Sequence, residues 1–286
     1  MGIKGAILGD IAGSQYEFNH MRPKDLDWKN VPLFTEKCRR TDDSILTLAT
    51  KGAILESERK GKEPNFTKWY HTMGNNYDGG YGGMFRQWLA SDRPQPYNSF
   101  GNGSAMRVSF IGEHYDNAND VVKFAKQSAA VTHNHPEGVK GAIITAACAN
   151  MVKYGNATKQ DIYNYTYKFY GDENKYKYPI SMSLDDMRKI YRWDVTCQGS
   201  VPAAIRCVLE ADSYEEFMRN VMSLPCDMDT LGAIGGGIAE ELFGLKDIDV
   251  KNILKQYLEP HLFDITYDTI FDITYDTIWF YIKFLI

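Results

Sequence analysis

At 286 residues, with 44% hydrophobic and 24% charged positions, the chain has the composition of a globular protein long enough to enclose a substantial core, neither disordered nor fibrous. Its net charge of −5 excludes a general phosphate-backbone binder, so no nucleic-acid partner is expected. Five cysteines, widely spread and forming no C-x-x-C pair, exclude a disulfide framework and a cysteine-ligated zinc and fit reduced thiols in the cytoplasm.

Residues 1–13 lack the basic start and long apolar core of a signal peptide, because glycines and Asp10 interrupt them. In this stretch Gly5, Gly9 and Gly13 recur every four residues. On a helix they line one smooth face for close backbone approach; a glycine-rich strand and turn is the competing reading. Asp10 and Ser14-Gln15-Tyr16-Glu17 end the segment in polar groups, and residues 18–40, rich in Asn, Lys, Asp and Pro, read as a loop. Apolar spacing then predicts helices over 44–59, 64–73, 84–91, 104–112, 118–131, 136–154, 158–169, 183–190, 200–210, 213–222, 229–243 and 248–257. Strict alternation is scarce, and neither a solenoid-length repeat nor a composition shift marks a second unit. The expected fold is all-α, a compact orthogonal multi-helix bundle, with one domain over residues 1–262.

The end of the chain departs from this pattern. Phe263-Asp264-Ile265-Thr266-Tyr267-Asp268-Thr269-Ile270 recurs unchanged over 271–278, a tandem duplication compatible with either strand or helix. Residues 263–286 are therefore set apart as a C-terminal extension, and the apolar 279–286 is too short to span a bilayer, so no membrane partner is expected.

Two clusters carry the chemistry. Thr41-Asp42-Asp43-Ser44 places adjacent carboxylates and two hydroxyls directly ahead of an apolar helical run. Capping alone explains such a quartet, since Thr, Asp and Ser are N-cap residues and acids favour the positive end of the helix dipole. Far downstream, Asp227-Met228-Asp229-Thr230 repeats the same chemistry ahead of a glycine-rich helical run. Four Asp in one pocket repel and raise one another's pKa values unless divalent cations neutralise them, and oxygen-only ligands favour Mg²⁺ or Mn²⁺ over zinc.

Between these clusters, Ser99-Phe100-Gly101-Asn102-Gly103-Ser104-Ala105-Met106-Arg107 and Gly79-Gly80-Tyr81-Gly82-Gly83 offer backbone N–H groups to an anion, with a plain turn as the alternative. Thr132-His133-Asn134-His135-Pro136-Glu137 holds two imidazoles two positions apart, and equally reads as a helix entry at Pro136 with His133 on a pocket wall. Gln198-Gly199-Ser200-Val201-Pro202 marks another helix start, and Asp185-Asp186 reads as a solvated face.

Taken in order, Gly9-Asp10-Ile11-Ala12-Gly13-Ser14-Gln15-Tyr16-Glu17, the quartet at 41–44, the run at 100–107, the run at 132–138 and Asp227-Met228-Asp229-Thr230 resemble the blocks of the ADP-ribosylglycohydrolase family. The resemblance spans residues 2 to roughly 245. It implies an all-α fold with a binuclear Mg²⁺ or Mn²⁺ centre in a cleft for ADP-ribose, held by Thr41, Asp42, Asp43, Asp227, Asp229 and Thr230. It also implies Glu17 on a segment over the site, and Phe100, Gly101, Asn102, Gly103, Ser104, Met106, Arg107 and His133 on the substrate. The implied reaction is hydrolysis of the bond between the anomeric carbon of ADP-ribose and an acceptor, a protein side chain or a small molecule. Asp42 or Asp43 would be the general base, and with Glu17 they form the expected catalytic set.

One departure stands out. The family usually has two glycines immediately before the downstream acids, and this chain has Pro225-Cys226, neither of which favours positive φ; a displaced ligand loop is the consequence to look for. Two other readings stay open. The run at 221–230 resembles the Asp-x-Asp-x-Thr loop of haloacid-dehalogenase-like phosphotransferases, although Thr230 follows Asp229 directly and alternating βα units are missing. A non-catalytic, ADP-ribose-binding or structural member of the same fold is the other, and the retained acids argue against it.

Overall fold

The computed structural model describes residues 2–16 and 26–267; Glu17, the last three residues of the first eight-residue copy and all of the second copy lie outside them. Among the described residues the expected all-α bundle forms, with fourteen α-helices and no strand. The helices are α1 (Ile3–Ser14), α2 (Asp42–Lys60), α3 (Phe66–Asn76), α4 (Gly83–Leu89), α5 (Ser109–His114), α6 (Ala118–Ala130) and α7 (Pro136–Gly155). They continue with α8 (Lys159–Tyr170), α9 (Leu184–Ile190), α10 (Cys197–Leu209), α11 (Tyr214–Met222), α12 (Met228–Phe243), α13 (Val250–Tyr257) and α14 (Pro260–Tyr267). Among the described residues, no helix is long and apolar enough to cross a membrane.

The opening segment is a helix, and its glycines make it the centre of the bundle. A Cβ at Gly9 would stand 2.1 Å from the carbonyl oxygen of Gly232, and one at Gly232 would stand 2.4 Å from that of Gly9. At Gly5 the obstacle is the Gly236 carbonyl, at 2.3 Å. Helices α1 and α12 thus touch backbone to backbone, a contact that only residues without a Cβ allow. Helix α1 is buried almost throughout, and α12 also packs against α7, α10 and α11, so neither shows the one-sided apolar stripe of a surface helix.

Local chemistry sets most boundaries. Thr41 caps α2 and Gly61, at φ 59°, ends it. His135 caps α7 with Pro136 in the first turn, and Thr158 and Asp161 form a reciprocal capping box on α8. Asp185 and Asp186 lie exposed in the first turn of α9 and pair with Arg188 and Lys189, the solvated face expected of them.

The structure corrects two starts. Helix α5 begins at Ser109 rather than 104, because the Asn102–Ser104 segment closes a tight 3-10 turn in which Ala105 and Met106 N–H groups both bond to the Asn102 carbonyl. Helix α10 begins at Cys197 rather than 200, because Thr196 accepts from Gly199 N and caps it there, leaving Pro202 inside the helix. Helix α14 runs through Phe263 to Tyr267, so the described start of the duplicated segment is helical.

The N-terminus of α1 is met by acids. Gly2, Ile3 and Gly5 N–H groups donate to Glu241, Glu113 and Glu240 at 2.7, 3.0 and 2.6 Å, satisfying donors that a helix start leaves open. Burial, with Glu113 and Glu241 nearby, pushes the Glu240 carboxyl up to about 8. A group raised in the folded state stabilises fully below its unfolded value and loses that contribution as pH rises through the folded one. Between about pH 4.5 and 8 the protein should therefore lose on the order of 4–5 kcal/mol at this residue. Glu240→Gln, which keeps an acceptor for Gly5 N–H, should flatten that slope. Urea unfolding of both proteins across this range checks it, and parallel curves would remove Glu240 as the source.

Candidate active site

Three helices bring the acids together: the middle of α1 and the N-termini of α2 and α12. Asp10 is fully buried. Its Oδ2 accepts from Thr41 N (3.0 Å), Ser44 N (3.0 Å) and Ser44 Oγ, and its Oδ1 accepts from Thr41 Oγ1 (2.6 Å). Asp43 Oδ2 accepts from Thr230 Oγ1 at 3.4 Å and lies 3.1 Å from Thr41 Oγ1, whose shorter contact is to Asp10. Asp43 Oδ1 is buried with no hydrogen-bond partner. Asp227, at the N-cap of α12, accepts from Asn102 Nδ2 at 2.9 Å, and Asp229 accepts from Thr230 N at 2.9 Å. Carboxylate oxygens of Asp10, Asp43 and Asp229 lie within 4.8 Å of one another.

Burial raises the pKa of Asp10 and Asp227, and hydrogen bonds pull both partly back. Asp43 is held well above the usual carboxylate range, by burial first and then by the charges of Asp10, Asp42 and Asp227. An orphaned buried oxygen among converging carboxylates is costly in a bare protein and suits a hard divalent cation, so the donor set fits Mg²⁺ or Mn²⁺.

The acids open onto a cavity of about 390 Å³. Of the residues singled out in the sequence, Asp42, Asp43, Gly80, Gly82, Gly83, Ser99, Gly101, Asn102, Gly103, Met106, Arg107, His133, Asp227, Asp229 and Thr230 line it. Three of the expected metal and substrate residues sit elsewhere. Thr41 is buried behind the lining, between Asp10 and Asp43. Ser104 is buried and donates to the Gly138 carbonyl at 2.8 Å. Phe100 is exposed, its ring 5.3 Å from that of His135. Glu17 lies outside the described residues.

Of the two imidazoles, His135 caps α7 and His133 faces the cavity. His133 Nδ1 shares a 2.7 Å hydrogen bond with Thr132 Oγ1, and burial, then Arg107, hold its pKa well below the ordinary value, so the ring is neutral at physiological pH. Arg107 is fully buried over Tyr70, 4.2 Å from its ring centroid, with Nη2 donating to Ser128 O and Thr132 Oγ1. Its Nε and Nη1 have no partner.

Sequence reasoning passed over Asp10 as a site residue, although a carboxylate inside an apolar, glycine-spaced run is a buried charge that demands partners. It also passed over Tyr97, Trp193 and Val195, which line the cavity. They carry no motif, and Val195 is held beside the 100–107 run, its carbonyl accepting from Asn102 N at 2.8 Å.

Behind Asp227 and Asp229, which line the cavity, stand Pro225 and Cys226. Neither adopts positive φ, and Cys226 N bonds to the Leu224 carbonyl in a turn that delivers Asp227 and Asp229 to the cavity. Burial first, then Cys207 and the adjacent acids, hold the Cys226 thiol well above its usual pKa, which leaves it no nucleophilic role. What precedes Asp227 is α11 and a turn, not the strand that the phosphotransferase reading needs.

The family profile described as ADP-ribosylglycohydrolase matches residues 2–269. Curated relatives include the ADP-ribosylhydrolase ARH3 of Mus musculus, 24% identical with 86% of this chain and 84% of that one covered. The human ADP-ribosylhydrolase ARH3 is 26% identical, with 86% and 85% covered. Among solved structures, an ADP-ribosylglycohydrolase-related protein complex shares the fold at a TM-score of 0.65 and 20% identity, over 92% of this chain and 95% of that one. With the profile matched over nearly its whole length, the chain belongs to the ADP-ribosylglycohydrolase family of glycosyl-bond hydrolases.

Proposed function

We propose that the chain is a metal-dependent hydrolase that releases ADP-ribose from an acceptor, a protein side chain or a small molecule, reversing ADP-ribosylation. The observation that carries this reading is Asp43, whose buried, unpartnered Oδ1 stands among converging carboxylates beside a cavity large enough for a nucleotide sugar. Thr41, Asp42, Asp43, Asp227, Asp229 and Thr230 would hold two Mg²⁺ or Mn²⁺. When bound, these cations offset the repulsion of the acids and supply Lewis acidity to the ribose hydroxyls and to water.

The remaining chemistry falls to the chain. Asp42 or Asp43 takes a proton from the attacking water, whose oxygen bonds to the anomeric carbon while the acceptor departs with the bonding pair and receives that proton from the same carboxyl group. Asn102, committed to Asp227 and Ser200, fixes the downstream carboxylate. Arg107 offers unpartnered N–H groups and a buried positive charge to the diphosphate, and neutral His133 lines the same wall without adding charge. Glu17 completes the proposed catalytic set from the segment that follows α1.

Purified protein, stripped with chelator, should be offered ADP-ribosylated serine and arginine peptides and O-acetyl-ADP-ribose, with and without Mg²⁺ or Mn²⁺. Release of ADP-ribose from at least one, only with added metal, is expected. Release that persists in chelator would remove the metal role, and calorimetric binding of ADP-ribose without turnover of any conjugate would make the chain a reader.

A further inference from the structure

Asp10 lies as close to the other acids as a ligand would, yet its bonding differs from theirs. A carboxylate has about four lone-pair sites. Asp10 meets four protein donors, Thr41 N, Ser44 N and Ser44 Oγ at Oδ2 and Thr41 Oγ1 at Oδ1, so Oδ2 is saturated and Oδ1 keeps a single open site. Asp43 has an entire oxygen uncommitted. Proximity groups the two residues, and hydrogen bonding separates them.

We propose that Asp10 is a positioning residue that locks the N-terminus of α2 into ligand geometry from a different helix, and is not itself a metal ligand. The inference rests on the metal-dependent reading above. Thr41 and Ser44 carry N–H groups that the start of α2 leaves without intrahelical partners, and Asp10 takes both. It also takes the single hydroxyl proton of Thr41, at 2.6 Å against 3.1 Å to Asp43. That orients the acceptor side of Thr41 Oγ1 away from Asp10, toward Asp43 N–H and a cation.

The position of Asp10 in the chain explains why this residue has the task. It follows Gly9, which sits against Gly232 of α12. Fixed in height against α12 by that contact, Asp10 ties the Asp42–Asp43 half of the site to the Asp227–Asp229 half. Partners that orient ligands without touching the metal typically change affinity by about 10–100-fold when removed.

The test is Mn²⁺ titration by calorimetry, with amide hydrogen exchange read at Thr41 and Ser44, in Asp10→Asn, Ser44→Ala and Asp43→Asn. Asp10→Asn should bind Mn²⁺ at least about tenfold more weakly with unchanged stoichiometry, and the Thr41 and Ser44 amides should exchange faster. Ser44→Ala, which deletes one donor and leaves every acid in place, should weaken Mn²⁺ several-fold in the same sense; it carries the test alone if Asp10→Asn does not fold. A lost Mn²⁺ equivalent in Asp10→Asn with both amides still protected would make Asp10 a ligand and overturn the proposal. Wild-type affinity in Ser44→Ala would overturn it too. Asp43→Asn separates the two readings: wild-type Mn²⁺ binding there brings down the metal-dependent reading itself, whereas loss there with no change in the other two variants brings down only the role of Asp10.

Discussion

Asp43→Asn is expected to lower kcat/KM by about 10³-fold or more while raising the melting temperature of the metal-free protein. Both effects come from one carboxylate. Its Oδ1 is the buried oxygen without a partner, and its charge is opposed by burial and by Asp10, Asp42 and Asp227. A carboxylate raised in the folded state destabilises that state once pH passes the unfolded value near 3.9, so at neutral pH a neutral amide is the easier group to bury. The amide oxygen can keep the bond from Thr230, and its NH₂ then faces the neighbouring carboxylates as a donor. What the variant loses is a proton acceptor and a negative charge where cations are held. Added Mn²⁺ should raise the melting temperature of the wild type by mass action and leave the variant's nearly unchanged. Scanning calorimetry with and without Mn²⁺, beside initial rates on the conjugate that the wild type cleaves, reads all three numbers. Activity and metal-free stability falling together would mean that Asp43 is a structural residue, and retained activity would pass the base role to Asp42.

How much of this was legible in the sequence depended on how far each contact reaches along the chain. Thr41, His135, Thr158 and Ser183 cap helices that begin right beside them, and those starts were readable because capping is local. The four-residue glycine period announced a close-packed face but left its partner unnamed, since Gly232 and Gly236 lie more than two hundred residues away. The two acid clusters were recognisable because each repeats the other's chemistry. Asp10 has no second acid beside it, and its function appears only once α1 and α2 are side by side. Apolar residues predict a helix from 104, directly after the glycine loop. Asn102, however, spends its groups on long-range partners, its N–H on Val195 and its side chain on Asp227 and Ser200, and a 3-10 turn forms instead. Tertiary bonding overrode local periodicity where the site is built.

The α1–α12 contact makes the second large prediction: Gly9→Val should destabilise the protein by about 3 kcal/mol or more and weaken Mn²⁺ binding with it. A Cβ at this position would meet the carbonyl oxygen, carbonyl carbon and Cα of Gly232 at 2.1, 2.3 and 2.9 Å, all backbone atoms that no side-chain rotation can move away. The helices must separate, and their separation carries Asp10 away from Asp229, one acid on each. Gly13→Ala puts its Cβ 2.3 Å from Asp229 N and so strikes the ligand-bearing turn directly, which should cost Mn²⁺ affinity more than stability. Helix propensity works against both losses, because glycine inside a helix is about 1 kcal/mol worse than alanine. Gly155→Ala isolates that term: its Cβ meets nothing within 4 Å at the end of α7, so the substitution should be neutral or stabilise by a few tenths of a kcal/mol. Urea unfolding and Mn²⁺ titration of the three variants test the idea as a set. If Gly9→Val unfolds at the same urea concentration as Gly155→Ala, the two helices can part without strain, and the glycine face is then not what holds the halves of the metal site in register.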